Sequence, residues 1–118
     1  MSYSPRSFSL GVDLIEFRKA KVFYTNHKDN LKSFFTRPEI SAIRRSKKPH
    51  EKIAVILAAK EAAYKAADTR DAGVLNFRDV SVNQHKNKRK GLLAKFGSRI
   101  FRLSVFKEKE YVVVGCRG

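Results

Sequence analysis

Alternation of apolar and polar side chains predicts a strand near the start of the chain. Within residues 8–17, FSLGVDLIEF, apolar side chains recur at every second position: Phe8, Leu10, Val12 and Leu14. This period of two is that of a β-strand, and it places Asp13 on the opposite face together with Ser9 and Gly11. We expect a helix to take over near Leu14 and to continue through FRKAKVFYTNH.

Two further helices are predicted in the middle of the chain. The segment TRPE, residues 36–39, has the Thr-x-x-Glu spacing of a capping box, and it predicts a helix that runs past Ile43 to Arg44. Pro49 suits the first turn of the next helix, where its missing N–H is not needed. That helix, predicted at residues 51–67, is apolar on most sides, so we expect it at the centre of the fold.

The rest of the chain is predicted to form strands and one basic loop. Apolar and β-branched runs indicate strands at residues 76–82, 99–105 and 111–116, and KEKE makes the turn between the last two. Residues 84–90 are polar and basic, which favours an exposed loop. No repeat or linker divides the 118 residues. The order of elements predicts one domain, residues 1–118, of the α+β class, with a small antiparallel sheet packed against the long central helix.

Composition narrows the class of protein. Hydrophobic residues make up 42% of the chain, with nine Phe and four Tyr, so a packed core is feasible. No apolar run approaches the ~20 residues that span a membrane, and the first residues lack the pattern of a secretory signal. We therefore expect a cytoplasmic protein. Cys116 is the only cysteine, so no internal disulfide forms, and three scattered histidines do not indicate a zinc site.

The charge of the chain is strongly positive. Lys and Arg number 26 against 11 Asp and Glu, a formal net charge of +15, and residues 80–107 contain no acidic side chain. Such a field attracts nucleic acid, an anionic membrane, a phosphorylated ligand or an acidic protein. Charge alone does not choose among these partners.

The run AAKEAAYKAAD, residues 58–68, places charges in a stretch that alanine already makes helical. Glu61 lies at the edge of a largely apolar helix and needs a partner, because desolvating an unpaired carboxylate is costly. Lys65, one turn later, is one candidate. An exposed Glu–Lys pair at this spacing is common and is worth only about 0.3–0.5 kcal/mol.

Asp13 permits a second interpretation of the same charges. By itself it could be an acid that favours the N-terminal end of a helix dipole. Two carboxylates from separate elements, backed by lysines, are however what a Mg²⁺–diphosphate site requires. Mg²⁺ takes one or two protein carboxylates and leaves its other positions to water and phosphate, while lysines neutralise the remaining phosphate charge.

Two segments of the chain resemble the motifs of holo-[acyl-carrier-protein] synthases, the small 4'-phosphopantetheinyl transferases. GVDLIEF, residues 11–17, is similar to their G-x-D motif, and LAAKEAAYKA, residues 57–66, to their K-E-A/S-x-x-K helix. FFTRPEI, residues 34–40, and SVFKEKEYVVVGC, residues 104–116, resemble further segments in the same order. The resemblance implies that family's fold and Mg²⁺-dependent transfer of 4'-phosphopantetheine from coenzyme A to a serine of an apo acyl carrier protein, with release of adenosine 3',5'-bisphosphate.

The resemblance also implies roles for individual residues. Asp13 and Glu61 would be the metal ligands and, with Lys65, the catalytic residues. The coenzyme A contacts would be Lys60, Lys65, Lys48 and Arg70. Arg70 belongs to Asp68-Thr69-Arg70, which stands where the family usually has a Gly-Thr/Ser-Gly turn, and its side chain would replace a backbone contact. The surface for an acidic acyl carrier protein would be Arg18, Lys19 and Lys21. The family also implies a homotrimer whose coenzyme sites are shared between neighbours.

Two other functions stay open at this point. The basic loop QHKNKRKG, residues 84–91, and the net charge are also typical of a small nucleic-acid-binding protein, although Phe and Tyr are not interleaved with the basic run as stacking platforms. The altered turn at residues 68–70 and the short segment 83–100 are compatible with an inactive homologue that binds carrier proteins. The enzyme needs Mg²⁺ and turns over coenzyme A. A nucleic-acid-binding protein binds nucleic acid with an affinity that falls steeply with salt and needs no metal. An inactive homologue binds carrier protein without turning over coenzyme A.

Overall fold

The fold is an antiparallel sheet covered on one face by helices. The computed structural model describes residues 10–67, 76–84, 86, 87, 89 and 91–118. Its elements are, in chain order, β1 (Leu10–Glu16), α1 (Phe17–His27), a 3-10 turn (Leu31–Ser33), α2 (Arg37–Arg45), α3 (Pro49–Ala66), a second 3-10 turn (Phe77–Asp79), β2 (Val80–Gln84), β3 (Leu92–Phe96), β4 (Arg99–Lys107) and β5 (Tyr111–Arg117). The five strands form one sheet in the order β1-β5-β4-β3-β2, and every pairing is antiparallel. The predicted α+β class is confirmed.

The central helix α3 is buried because apolar side chains surround most of its circumference. Eleven of its 18 residues are buried, and Pro49 opens its first turn as predicted. The inner face of the sheet packs on it through Phe101 of β4 and through Val112 and Val114 of β5, all fully buried. Burying each of these side chains contributes about 1.5–3 kcal/mol. No helix within the described ranges is both long and apolar enough to cross a membrane.

The first strand is longer than its alternating pattern predicted. A helix was expected near Leu14, but Glu16 still pairs with Tyr111 of β5, and α1 begins at Phe17. The N–H of Phe17 donates to the carbonyl of Glu110 over 2.9 Å. The prediction of an early helix start is therefore wrong, because pairing with β5 holds residues 14–16 extended.

The face of β1 that meets the core carries Gly11 and Asp13. The apolar side chains of the strand point the other way: Leu10, Val12 and Leu14 are 57%, 60% and 52% exposed. Phe106 of β4 and Val113 of β5 stand opposite one another in register on the same side, next to Leu14. We call this surface the outer sheet face and define it by Leu10, Val12, Leu14, Phe106 and Val113. Exposed apolar surface of this kind is typical of a contact with another molecule.

The C-terminal half contains one strand more than was predicted. Residues 92–96, inside KGLLAKFGS, form β3 and pair with both β2 and β4. The strand predicted at residues 76–82 begins only at Val80, because Phe77–Asp79 forms a 3-10 turn. The two closing strands are confirmed, each one or two residues longer than expected. The predictions for Phe8 and Ser9 fall outside the described residues.

Candidate active site

Close packing of β1 on α3 brings the two charged motifs together. Gly11 makes this approach possible, since a Cβ at this position would collide with the carbonyl oxygen of Ala62. Asp13 then lies beside the last turns of α3 with its side chain 18% exposed. Nζ of Lys65 donates to Oδ1 of Asp13 over 3.0 Å and to the carbonyl oxygen of Val12 over 3.3 Å. Residues 52 positions apart in the chain thus meet at one site.

Glu61 lies one turn before Lys65 and is the second carboxylate at this site. Burial raises the pKa of the Glu61 carboxyl, the charge of Asp13 raises it further, and Lys65 opposes both effects. Glu61 forms no ion pair with any residue that the structure describes, whereas Lys65 pairs with Asp13. The simple helix pair between Glu61 and Lys65 is therefore not formed. Instead, Lys65 bonds to Asp13 on the neighbouring strand, and Glu61 lies near enough for the charges of both to act on its pKa.

This donor set fits a Mg²⁺ ion. The charge of Asp13 disfavours ionisation of Glu61, and a divalent cation beside both would relieve that repulsion. No cluster of three or more His, Cys, Asp and Glu side chains suited to a metal occurs in the described part of the chain. A site of two carboxylates leaves positions for water and phosphate oxygens, which is the coordination that Mg²⁺ prefers.

Lys60 was predicted to contact coenzyme A, and the structure contradicts this. Its side chain is fully buried on another face of α3, with Nζ 2.8 Å from Oε1 of Glu39. The same ammonium donates to the carbonyl oxygens of Phe77 over 2.6 Å and Val80 over 2.5 Å. Burial lowers the pKa of Lys60, and the bond and charge of Glu39 oppose that effect. The ammonium of Lys60 already has three hydrogen-bond partners and no exposed surface, so it cannot contact a bound ligand.

Glu39 joins Lys60 to the capping box of α2. Its Oε1 accepts from the N–H of Thr36 over 2.8 Å, and its own N–H donates to the Thr36 hydroxyl over 3.4 Å, so the predicted capping box is confirmed. Oε2 accepts from the N–H of Val82 over 2.6 Å. One buried ion pair therefore fastens α2, α3 and β2. The sequence indicated the cap but not the pair, since the two residues lie on different helices.

Lys48 lies at the far end of α3 from the two carboxylates. It precedes the helix, has a side chain 67% exposed and pairs with Glu51 over 3.6 Å. Thirteen residues separate it from Glu61, which at 1.5 Å per residue corresponds to roughly 20 Å along the helix. Within one chain, Lys48 and Glu61 therefore do not meet. Arg70, the other predicted coenzyme contact, lies outside the described residues.

Sequence reasoning missed most of the cationic cluster around Lys48. A shallow cavity of about 220 Å³ there is also lined by Lys47, Lys52 and Lys107. Burial lowers the pKa of Lys52, and the charges of Lys107 and Arg45 lower it further. Lys47, Lys48 and Lys52 are close in sequence, and the fold adds Lys107 from β4; Glu51 also lines the cavity. Such a cluster suits a phosphate group.

The three cations predicted to bind the carrier protein lie exposed on α1. Arg18 and Lys19 have side chains 82% and 71% exposed, and both pair with Glu16, over 3.1 Å and 3.6 Å. Lys21 is exposed as well. Surface pairs of this kind contribute little free energy and are easily exchanged for another anion. The cations are therefore accessible, and their binding role stays a prediction.

Comparison with known proteins shows which family the chain belongs to. A family model of the 4'-phosphopantetheinyl transferase superfamily matches residues 9–116. The chain is 27% identical to the holo-[acyl-carrier-protein] synthase of Carboxydothermus hydrogenoformans, over 92% of this chain and 95% of that protein. It is 28% identical to the holo-[acyl-carrier-protein] synthase of Chlamydia trachomatis serovar L2, over 88% of this chain and 92% of that protein.

Solved structures of the same kind share the fold. The holo-[acyl-carrier-protein] synthase of Neisseria meningitidis superposes with a TM-score of 0.75 at 19% identity and covers 92% of this chain and 95% of its own. The holo-(acyl-carrier-protein) synthase of Bacillus anthracis, solved in complex with CoA (3',5'-ADP), superposes with a TM-score of 0.73 at 23% identity. The match covers 92% of this chain and 93% of that one. With a family model that spans nearly its whole length, the chain belongs to the 4'-phosphopantetheinyl transferase superfamily.

Proposed function

We propose that this protein transfers 4'-phosphopantetheine from coenzyme A to a serine of an apo acyl carrier protein and releases adenosine 3',5'-bisphosphate. The observation that carries the proposal is the meeting of Asp13 with Lys65, one helical turn from Glu61, at the point where the two matched motifs touch. The relatives that the chain resembles are named as holo-[acyl-carrier-protein] synthases, and two structural neighbours were solved with CoA or with its 3',5'-ADP portion.

Asp13 and Glu61 would hold one Mg²⁺ ion, which when bound supplies positive charge to the diphosphate of coenzyme A. Lys65 would add a second positive charge. Its side chain is 53% exposed, so the ammonium can keep its bond to Asp13 and still face a phosphate oxygen. Charge held in place in this way stabilises a leaving group as negative charge builds up on it.

The distance between Lys48 and Glu61 supports a site shared between copies of the chain. A cation roughly 20 Å along the same helix is poorly placed for a coenzyme bound at Glu61 of its own chain. We propose a homotrimer in which the lysine cluster of one subunit reaches the coenzyme held by the next. The contact between copies would be the outer sheet face, where Leu14, Phe106 and Val113 are otherwise exposed or half-exposed to water.

The carrier protein would dock on α1, where Arg18, Lys19 and Lys21 are exposed. This helix begins four residues after Asp13, so a protein resting on it can present a serine to the proposed metal site. The cations would speed the encounter with an acidic partner and orient it.

Charge-neutral variants of the two carboxylates test the proposed site. Asp13→Asn and Glu61→Gln each remove one charge and almost no volume, so the fold should persist while transfer falls by more than a hundredfold. Glu108→Gln, at an exposed position of the β4–β5 turn, is the matched control and should keep full activity. Transfer is followed as the mass of an apo acyl carrier protein incubated with coenzyme A and Mg²⁺. Near-normal turnover in both site variants would contradict the metal assignment.

A further inference from the structure

A cavity of about 530 Å³ lies between α2 and the two 3-10 turns, on the helix-covered side of the molecule. Its floor is apolar and consists of Leu31, Phe35 and Ile40, of which Leu31 and Phe35 are buried. The described lining residues lie at positions 29–44 and 78, so none of them belongs to a strand. The cavity therefore stays open when copies of the chain meet through the outer sheet face.

Four cations surround this floor. Arg37 and Arg44 lie seven positions apart, on one stripe of α2. Lys32 belongs to the first 3-10 turn and Arg78 to the second. Asp29 is the one acidic residue among the described lining residues. In the part of the chain that the structure describes, none of the four cations forms an ion pair. The fold therefore gathers positive charge here without neutralising it.

The guanidinium group of Arg78 is held in place at the edge of the cavity. Its Nη1 donates to the carbonyl oxygen of Lys32 over 2.8 Å and so joins the two turns, 46 positions apart in the chain. The backbone N–H of Arg78 donates to Oδ1 of Asn76 over 3.1 Å, which caps the second turn. A guanidinium group has five N–H donors, so further donors are left for a ligand. Because the side chain is fixed beforehand, less entropy is lost on binding.

We propose that this cavity, which we call the α2 pocket and define by Lys32, Arg37, Arg44 and Arg78, binds a phosphate monoester whose organic part is apolar. Guanidinium groups present parallel N–H donors that match the spacing of phosphate oxygens. The excess of positive charge suits a dianion. The apolar floor gives the organic part of the ligand a surface on which to be buried, and burial of apolar area is favourable. A cavity of this size lies within the range typical of small-molecule sites.

The α2 pocket is separate from the residues assigned to the proposed transfer reaction. Neither Asp13 nor Glu61 lines it, and it shares no lining residue with the cavity at Lys48. It begins at Asp29, after α1 has ended at His27, whereas the cations predicted to bind the carrier protein lie in the first half of that helix. Binding at the α2 pocket therefore does not depend on the proposed function.

Calorimetric titration of the full chain with phenyl phosphate at pH 8, where the phosphate group is a dianion, tests the pocket. Saturating coenzyme A is present and Mg²⁺ and carrier protein are left out, so that the proposed coenzyme site is already filled. We expect one saturable site per chain, which Arg37→Gln/Arg44→Gln weakens at least tenfold. Both arginines are exposed, so the fold should persist.

Lys86→Gln/Lys95→Gln is the matched control. It also removes two positive charges at exposed positions, and neither residue lines the cavity. This variant should bind phenyl phosphate as the parent does. An equal loss of affinity in the two double variants would show that phenyl phosphate responds only to the net charge of the chain, and it would overturn the proposal. Absent binding by the parent chain would overturn it as well.

Two further titrants test the class of ligand. Inorganic phosphate should bind more weakly than phenyl phosphate, because it gains nothing from the apolar floor; equal or tighter binding of inorganic phosphate would contradict the organic part of the proposal. Polyglutamate that binds through Arg37 and Arg44, while phenyl phosphate does not bind, would assign these cations to a surface for an acidic protein and overturn the pocket. Transfer to carrier protein is measured on the same samples. Absent transfer by the parent chain counts against the proposed function alone.

Discussion

Replacing Lys60 by methionine should destabilise the protein severely without acting on the site chemistry. Methionine keeps most of the volume but removes an ammonium that is fully buried and bonded to Glu39, Phe77 and Val80. The Glu39 carboxylate then stays buried without its counter-charge, and two carbonyl groups lose a donor. Breaking a buried pair on one side costs about 3–5 kcal/mol, against a total stability of roughly 6–18 kcal/mol for a chain of this size.

The loss is measured by urea and thermal unfolding. With an unfolding entropy of about 2.1 cal/mol/K per residue, 118 residues give roughly 0.25 kcal/mol/K. A loss of about 3–5 kcal/mol therefore lowers Tm by roughly 12–20 °C. The urea m-value should stay unchanged, because the variant alters stability and not the surface exposed on unfolding.

Lys65→Met is the matched control on the same helix. The side chain of Lys65 is 53% exposed, and its ion pair with Asp13 is in contact with water. This variant should therefore lose less than about 1 kcal/mol of stability. Its affinity for coenzyme A should fall far more than that of Lys60→Met measured well below its Tm. A Lys60→Met variant with near-parent stability and weakened coenzyme binding would refute the structural role of Lys60 and restore the original prediction.

Two further predictions concern the thiol and the carrier-protein surface. Burial raises the pKa of Cys116 to about 12, so the thiol stays protonated at pH 8. It should react with Ellman's reagent only as fast as the protein unfolds. Rapid labelling of the native chain would contradict the buried position of this thiol. Arg18→Glu/Lys19→Glu should raise the KM for an acidic carrier protein and flatten its dependence on salt, with the affinity for coenzyme A unchanged. If this double variant modifies carrier protein as well as the parent at low salt, the docking surface lies elsewhere, and the basic loop at residues 86–90 is the next candidate.

Local signals in the sequence predicted the helices well. The Thr36–Glu39 spacing and Pro49 each mark a helix start through a hydrogen bond or a backbone constraint that involves only neighbouring residues. Such signals survive in any tertiary context. Strand β3 was missed because its five residues are held extended by pairing with β2 and β4. No local sequence pattern indicates such pairing. The start of α1 was misplaced for the same reason, since pairing with β5 extends β1.

The site shows the same division between local and tertiary information. Resemblance to known motifs selected Asp13, Glu61 and Lys65, whose roles stay predictions. Helical spacing suggested a pair between Glu61 and Lys65, but in the fold Lys65 bonds to Asp13 instead. Lys60 and Glu61 are adjacent in sequence, and a helix turns consecutive side chains by about 100°. One therefore points into the core and the other toward the site. Which of the two is buried depends on where Glu39 lies.

The most direct test of the central claim is the intact mass of an apo acyl carrier protein after incubation with this chain, coenzyme A and Mg²⁺. The account predicts a gain of one phosphopantetheine on a single serine, no gain when EDTA replaces Mg²⁺, and no gain with Glu61→Gln. An unchanged carrier mass with the folded parent chain, across acidic carrier proteins of fatty-acid and polyketide type, would contradict it.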